Sequence, residues 1–245
     1  MLHVINFEFA VPSSLKFQSF SGFEVRGFFY HVVSSVDETL ASSLHAGKAL
    51  SPFAVTPVML KRDGGDIVCY DHVSPGLASF SFILFRDDEA RVVEDALRQG
   101  MSTVKLVDSE FPLTTVRLTQ VDPALIDREG LPSFAPDLEG FMSWVEAGGV
   151  LLSGFPAGIF TKRIYEHPMT NKWAVGFVGN VNFSFSKKLS NDKMIEAAST
   201  LLRFGEIVGV GAGRTSGMGR YRIAAKQAES TEDEQEEGQE RKMYL

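Results

Sequence analysis

Cysteine is almost absent. Cys69 stands alone among 245 residues, so no internal disulfide can form and the chain suits a reducing compartment. Long apolar runs are missing too: no stretch reaches the roughly 18 residues that a membrane span requires. The start, MLHVINFEFAVP, alternates apolar residues with His3, Asn6 and Glu8, and lacks the basic head and continuous apolar core of a signal peptide. These absences predict a soluble, cytoplasmic protein with no membrane partner. Five histidines and one cysteine show no zinc-like spacing, so neither a metal site nor a cofactor is expected. Positive charge is not in excess either, since the formal net charge is −7. That deficit is local. Residues 229–245 hold seven acids against Arg241 and Lys242, a balance of −5, which leaves the remainder at −2. Local basic surface, not the total, then decides whether an anion binds.

What is present is an alternation of strand and helix patterns. Residues 3–9 alternate as a strand. Val25, Phe28, Phe29, Val32, Val33 and Val36 recur at helical spacing, and Ser21 with Glu24 reads as a capping box. A short helix over 37–46 stops at Gly47, strand-like runs cover 53–60, 66–71 and 79–86, and a helix over 88–99 precedes a strand at 103–108. A second round has a strand at 113–121, a helix around Leu138, Phe141, Met142 and Val145, and strands at 149–154, 158–165 and 173–185. A helix over 191–204 and a closing strand at 220–225 complete it. Strand-helix-strand-strand-helix-strand, twice, predicts an α+β chain of two tandem ferredoxin-like (RRM-like) modules with antiparallel sheets. The expected boundaries are 1–110, 111–227 and, for a disordered acidic tail, 228–245.

Before the closing strand lies Gly209-Val-Gly211-Ala-Gly213-Arg-Thr-Ser-Gly217-Met-Gly219, five glycines in eleven positions. Glycine at this density suits positive φ or a close approach to the main chain, and bare amides suit phosphate. The string is no P-loop, which needs G-x-x-x-x-G-K-[ST]. It is no dinucleotide fingerprint either, because the last glycine of G-x-G-x-x-G falls on Arg214 or on Ser216. The residues alone still admit a ligand-free hairpin turn. Arg214, Arg220 and Arg222 favour a polyanion, because guanidinium forks match phosphate.

Gly209-x-Gly211-x-x-x-x-x-Gly217-x-Gly219 resembles the C-terminal glycine motif of the RAMP superfamily of CRISPR-associated proteins. Arg26-Gly-Phe-Phe-Tyr30, Leu44-His45-Ala-Gly-Lys48 and Ser51-Pro-Phe53-Ala-Val-Thr-Pro57 are similar to the helix, histidine turn and strand of that superfamily's repeat-cleaving endoribonucleases. Gly176-Phe-Val-Gly179 adds a weaker likeness. The resemblance runs over about residues 3–225 and implies the same tandem fold. It implies metal-independent cleavage of CRISPR repeat RNA in precursor crRNA. In that reaction the ribose 2′-OH attacks the adjacent phosphate, leaving a 2′,3′-cyclic phosphate and a 5′-OH. A non-catalytic RNA-binding subunit of a CRISPR effector complex is the alternative it leaves open. Effector subunits and a second copy of this chain are the further partners it implies.

His45 is the first choice for proton transfer, since imidazole titrates near neutrality. The residues alone equally fit a helix-terminal histidine that complements the dipole. The resemblance makes Tyr30 a catalytic tyrosine, and Arg26, four residues earlier, shares its helix face. Arg26 serves either as a phosphate contact or as an ion-pair partner of Glu24 or Glu38. Lys48 is the candidate lysine, although the family's lysine lies farther on, near Ser51 and Pro52. His31 is a weak spare, and His3, His72 and His167 read as ordinary residues. For RNA binding the candidates are Lys162, Arg163 and Lys172 around the turn at His167-Pro168, with Tyr165 and Trp173 for stacking. Lys187 and Lys188 extend the basic strip. Gly211, Gly213, Arg214, Gly217, Gly219, Arg220 and Arg222 complete the set, as a backbone clamp expected in the second module.

Overall fold

The computed structural model describes residues 1–46, 51–121, 138–166, 173–224 and 240–244. The chain divides into two compact units. One comprises Met1–Pro123, Arg163–Ala174 and Val208–Gly219, and the other Ala124–Lys162, Val175–Ile207 and Arg220–Leu245.

The N-terminal part of the first unit runs β1 (Leu2–Val11), β2 (Leu15–Lys16), α1 (Ser21–Val36), α2 (Glu38–Ala46), β3 (Phe53–Val55), β4 (Met59–Leu60) and β5 (Ile67–Val68). It continues through β6 (His72–Val73), β7 (Gly76–Leu84), α3 (Asp87–Arg98), β8 (Thr103–Leu106) and β9 (Ser109–Val121). The alternation in β1 buries Ile5, Phe7 and Phe9 on one face, so the strand is fixed between two neighbours by its apolar side. β7 pairs antiparallel on one flank and β9 on the other. The sheet order is β5-β4-β7-β1-β9-β8, with β3 also paired to β7, while β2 and β6 form a separate ribbon. Val25, Phe28, Phe29, Val32 and Val33 give α1 its apolar face, which joins β1, β3 and β7 in one aromatic core. Phe29 stacks on Phe53 at 4.2 Å between ring centroids, and Phe7 meets Phe82 at 4.8 Å. Each such fully buried ring contributes roughly 1.5–3 kcal/mol.

Three expectations change here. β9 pairs with β1 from Leu2↔Val121 to Phe9↔Leu113, so the expected boundary at 110 falls inside a strand of the first sheet. The 113–121 strand closes the first module and does not open the second. Ser21 forms no capping box: Phe20 occupies the cap position without a side-chain bond. The buried Ser21 hydroxyl instead donates to the Cys69 carbonyl and accepts from the Val58 amide at 3.1 Å, tying the helix start to the residues that flank β5 and β4. Third, Glu240–Tyr244, within the segment expected to be disordered, forms a strand.

The second set of elements is α4 (Leu138–Glu146), β10 (Val150–Gly154), β11 (Ile159–Glu166), β12 (Trp173–Phe185), α5 (Asp192–Val208), β13 (Arg222–Ala224) and β14 (Glu240–Tyr244). Its sheet has the order β10-β12-β14-β13, with β11 paired to β12. β14 lies between β12 and β13, antiparallel to both, in the place that β1 holds between β7 and β9 in the first sheet. Among the described residues, one buried cluster beneath α4 and α5 comprises Phe141, Ala197 and Ala198, flanked by Trp144, Val145, Phe185 and Met194. Both sheets are antiparallel with helices attached, which is the expected α+β, ferredoxin-like architecture.

Candidate active site

The site begins with α1. Arg26 and Tyr30, four residues apart, stand on one face beside the apolar stripe. The chain then turns at Asp37, whose Oδ1 accepts from the Leu40 amide at 2.8 Å and caps α2. Ala41 and Leu44 are buried, which leaves His45 exposed in the last turn. Its ring meets Tyr30 edge-on, with centroids 5.2 Å apart and planes at 77°. Tyr30 also packs edge-on against Phe53 at 5.8 Å, so the first-unit core fixes one side of the phenol. Burial pushes the Tyr30 phenol above its ordinary range, and the Arg26 charge partly offsets the rise. At neutral pH it is therefore a neutral hydroxyl that can donate.

The glycine loop meets this face. Gly209, Gly211, Gly213, Gly217 and Gly219 all hold φ between 73° and 81°, the left-handed region that glycine alone enters freely. Gly213 and Gly217 bracket a short 3-10 turn, Arg214–Ser216. The turn is wedged against the first unit: a Cβ on Gly22 would overlap the Ser216 carbonyl oxygen, and one on Gly217 would come within 2.7 Å of the Pro57 nitrogen. Arg26 Nη1 donates to Ser216 Oγ at 2.9 Å, and the Arg26 guanidinium also lies 5.1 Å from the Phe23 ring centroid. Arg214 sits 5.6 Å from the centroid of Phe85, just past β7. The loop tip differs. Nothing lies within 4 Å of a Cβ built on Gly211, and Gly211 and Ala212 are exposed, so their backbone is open to a ligand.

The chain matches the profile of CRISPR-associated endoribonuclease Cas6 over residues 7–221. It belongs to the Cas6 family of endoribonucleases. Among solved structures, a Cas6 (TTHB231) product complex superimposes with a TM-score of 0.59 at 18% identity, covering 89% of this chain and 98% of that one. The same protein is described elsewhere as Thermus thermophilus Cas6. A Cas6 (TTHA0078) product complex gives 0.57 at 18% identity, over 90% and 98% of the two chains. A Cas6-related protein from Pyrococcus furiosus gives 0.51 at 10% identity, over 93% and 100%. At such identities these likenesses speak for the fold. No curated protein matches the chain.

In this Cas6-family chain the expected site residues fall into three sets. Arg26, Tyr30 and His45 come together, and Gly211, Gly213, Arg214, Gly217 and Gly219 lie in the same unit. The glycine loop was expected in the second module; its packing on α1 and on the segment after β3 puts it in the first. Lys162, Arg220 and Arg222 belong to the second unit, where all three are exposed and Arg220 donates to the Ile207 carbonyl at 2.6 Å. Arg163 is exposed as well. Lys48, Lys172 and His167 lie outside the described residues. His31 faces away from Tyr30 and lines a groove of about 310 Å³ with Lys105 and Glu110, so it is no part of this cluster. His3 is buried, with Nε2 2.7 Å from Asp87. Among the described residues Arg26 pairs with neither Glu24 nor Glu38; its hydrogen-bond partner is Ser216. Ser216 and Gly22 were not singled out from the sequence, and Pro57 was quoted only as the end of a motif. Ser216 had a signal, as one of two hydroxyls inside a motif with five glycines in eleven positions.

Proposed function

We propose that the Arg26-Tyr30-His45 cluster cleaves CRISPR repeat RNA in precursor crRNA by attack of a ribose 2′-hydroxyl on the adjacent phosphate. The new bond is 2′-O to phosphorus, and the bond broken is phosphorus to 5′-O. The products are a 2′,3′-cyclic phosphate and a 5′-hydroxyl. One proton leaves the 2′-oxygen and one reaches the 5′-oxygen, and an exposed imidazole at the end of α2 can carry either transfer. The neutral Tyr30 hydroxyl donates to a phosphate oxygen, and the Arg26 guanidinium stabilises the charge that builds on the phosphorane. Lys48 is the other cation proposed for that role. Two fold neighbours are Cas6 proteins in product complexes, which supports a nuclease reading.

The observation that carries this reading is the edge-on contact of His45 with Tyr30 one helical turn from Arg26. The test incubates purified protein with its own organism's repeat RNA in excess EDTA, comparing wild type with His45→Ala. Cyclic-phosphate ends that appear in wild type and vanish in the variant are expected. An unchanged rate in His45→Ala would overturn the assignment, and loss of wild-type cleavage in EDTA would overturn the metal-independent route. Lys162, Arg163, Lys172, Arg220 and Arg222 are proposed to hold RNA phosphates outside the reacting centre. Effector subunits or a second copy of this chain are proposed further partners, to be read from the size of the RNA-loaded protein in chromatography.

A further inference from the structure

The glycine loop has a buried polar residue that a phosphate cradle does not need. Ser216 is 2% exposed, and a ligand binding at the loop tip would reach the Gly211 and Ala212 backbone, not this hydroxyl. Its Oγ instead receives the Arg26 guanidinium at 2.9 Å. Both ends of that bond are held. Ser216 closes the 3-10 turn, with its amide donating to the Gly213 carbonyl at 2.8 Å. The turn cannot retreat or advance, because Gly22 and Gly217 admit no Cβ against Ser216 and Pro57. The Arg26 guanidinium also lies over the Phe23 ring, 5.1 Å from its centroid. A long, unbranched side chain with several rotamers is thereby narrowed to few, and Nη1 is spent on the serine while the other nitrogens can still face the Tyr30 side.

We propose that Ser216 is a positioning residue for cleavage: it orients the Arg26 guanidinium toward the phosphate that His45 and Tyr30 act upon. This deepens the reading given above and rests on it. The loop thus has two separable jobs, a Gly211 tip open to the RNA backbone and a Ser216 turn that sets a side chain on the first helix. Arginine is the residue such a device suits, since its planar fork can bond a fixed acceptor and a phosphate oxygen together.

The experiment is a double-mutant cycle of Ser216→Ala with Arg26→Ala, read as single-turnover cleavage of repeat RNA. Affinity is measured separately on RNA with a 2′-deoxyribose at the cut site. Ser216→Ala should slow cleavage about tenfold at saturating RNA, the effect of losing one charge-assisted bond, with affinity changed less than about twofold. In the Arg26→Ala background the same change should cost little more. Ser216→Thr, which keeps the hydroxyl, should recover most of the rate. Equal losses from Ser216→Ala in both backgrounds would overturn the proposal, as would a loss confined to affinity. A melting temperature lowered in step with the rate, in Ser216→Ala and Ser216→Thr alike, would reduce Ser216 to a packing role and also overturn it. The two readings fail separately: an Arg26→Ala protein that cleaves at the wild-type rate sinks the role of Arg26 itself, whereas active Arg26 with uncoupled Ser216 sinks only the positioning.

Discussion

The two units are built to the same plan with unequal means. In the first, Phe7, Phe9, Phe29, Phe53, Phe80 and Phe82 are fully buried around a long central strand. In the second, among the described residues, the cluster under α4 and α5 centres on Phe141, Ala197 and Ala198, and Leu152, Phe160 and Phe177 are 56%, 63% and 62% exposed. A reacting group must be held to a fraction of an ångström, and only a close-packed interior does that. Arg26, Tyr30 and His45 all stand on helices packed on the first core. A surface that tracks RNA needs charge more than rigidity, which agrees with the role proposed for Lys162, Arg220 and Arg222 in the second unit.

Changes in each unit can break this comparison. The largest effect is expected from His45→Ala, which should lower the cleavage rate by about 10²–10⁴ while RNA affinity is retained, in line with loss of a proton-transfer group. A matching loss of affinity would mean that the first unit does not separate chemistry from binding. Phe53→Ala comes next. It removes a ring stacked on Phe29 and should cost about 3–5 kcal/mol in urea unfolding. Phe177→Ser in the second unit should leave stability within about 0.5 kcal/mol, and a large loss there would contradict the contrast in packing.

A pH test follows from Glu89, in the first turn of α3. It is fully buried, and neither carboxyl oxygen finds a hydrogen-bond partner among the described residues. Burial raises its pKa from the ordinary 4.5 to about 7, and Arg86 only partly opposes the rise. Below pH 4.5 the group is neutral in both folded and unfolded chains and costs nothing. As pH climbs from 4.5 to about 7 the unfolded chain ionises first, so folding loses stability, to a total of about 3 kcal/mol above that range. Glu89→Gln should remove this slope, and urea unfolding at pH 5 and pH 8 compares the two proteins. A slope that survives the substitution would place the titration elsewhere. A modest effect is expected from Lys162→Ala in the second unit. Affinity should fall by roughly 1 kcal/mol or less, the salt dependence should flatten by about one unit of slope, and the rate at saturating RNA should hold. A rate that falls with affinity intact would move Lys162 into the chemistry.

Much of the first unit was legible beforehand. The 3.6-residue spacing of Val25, Phe28, Phe29, Val32 and Val33 reports one buried helix face, and the alternation of β1 reports one buried sheet face. Tyr30 and His45 were visible through the resemblance of Arg26–Tyr30 and Leu44–Lys48 to a known family's motifs, and His45 also through the chemistry of imidazole. β9 was misassigned because a strand's local pattern does not say which sheet it joins; its pairing with β1 links residues more than a hundred apart. Ser21 was read as a cap because a serine three residues before a glutamate usually is one. Burial against the residues that flank β5 and β4 gave its hydroxyl better partners. β14 was missed for the opposite reason. Its acidic approach carries the composition of disorder, and pairing to β12 and β13 comes from backbone bonds that composition does not report.

Local chemistry by itself determined which segments become helices and strands and where φ must turn positive. Arg26, Tyr30 and His45 were singled out through the resemblance of their motifs to a known family, which local chemistry alone does not supply. Only the tertiary structure decided where the glycine loop belongs. The space left by Gly22, the stop set by Pro57 and the bond from Arg26 to Ser216 join residues far apart in the chain. Steric fit over such separations exists only once the chain has folded.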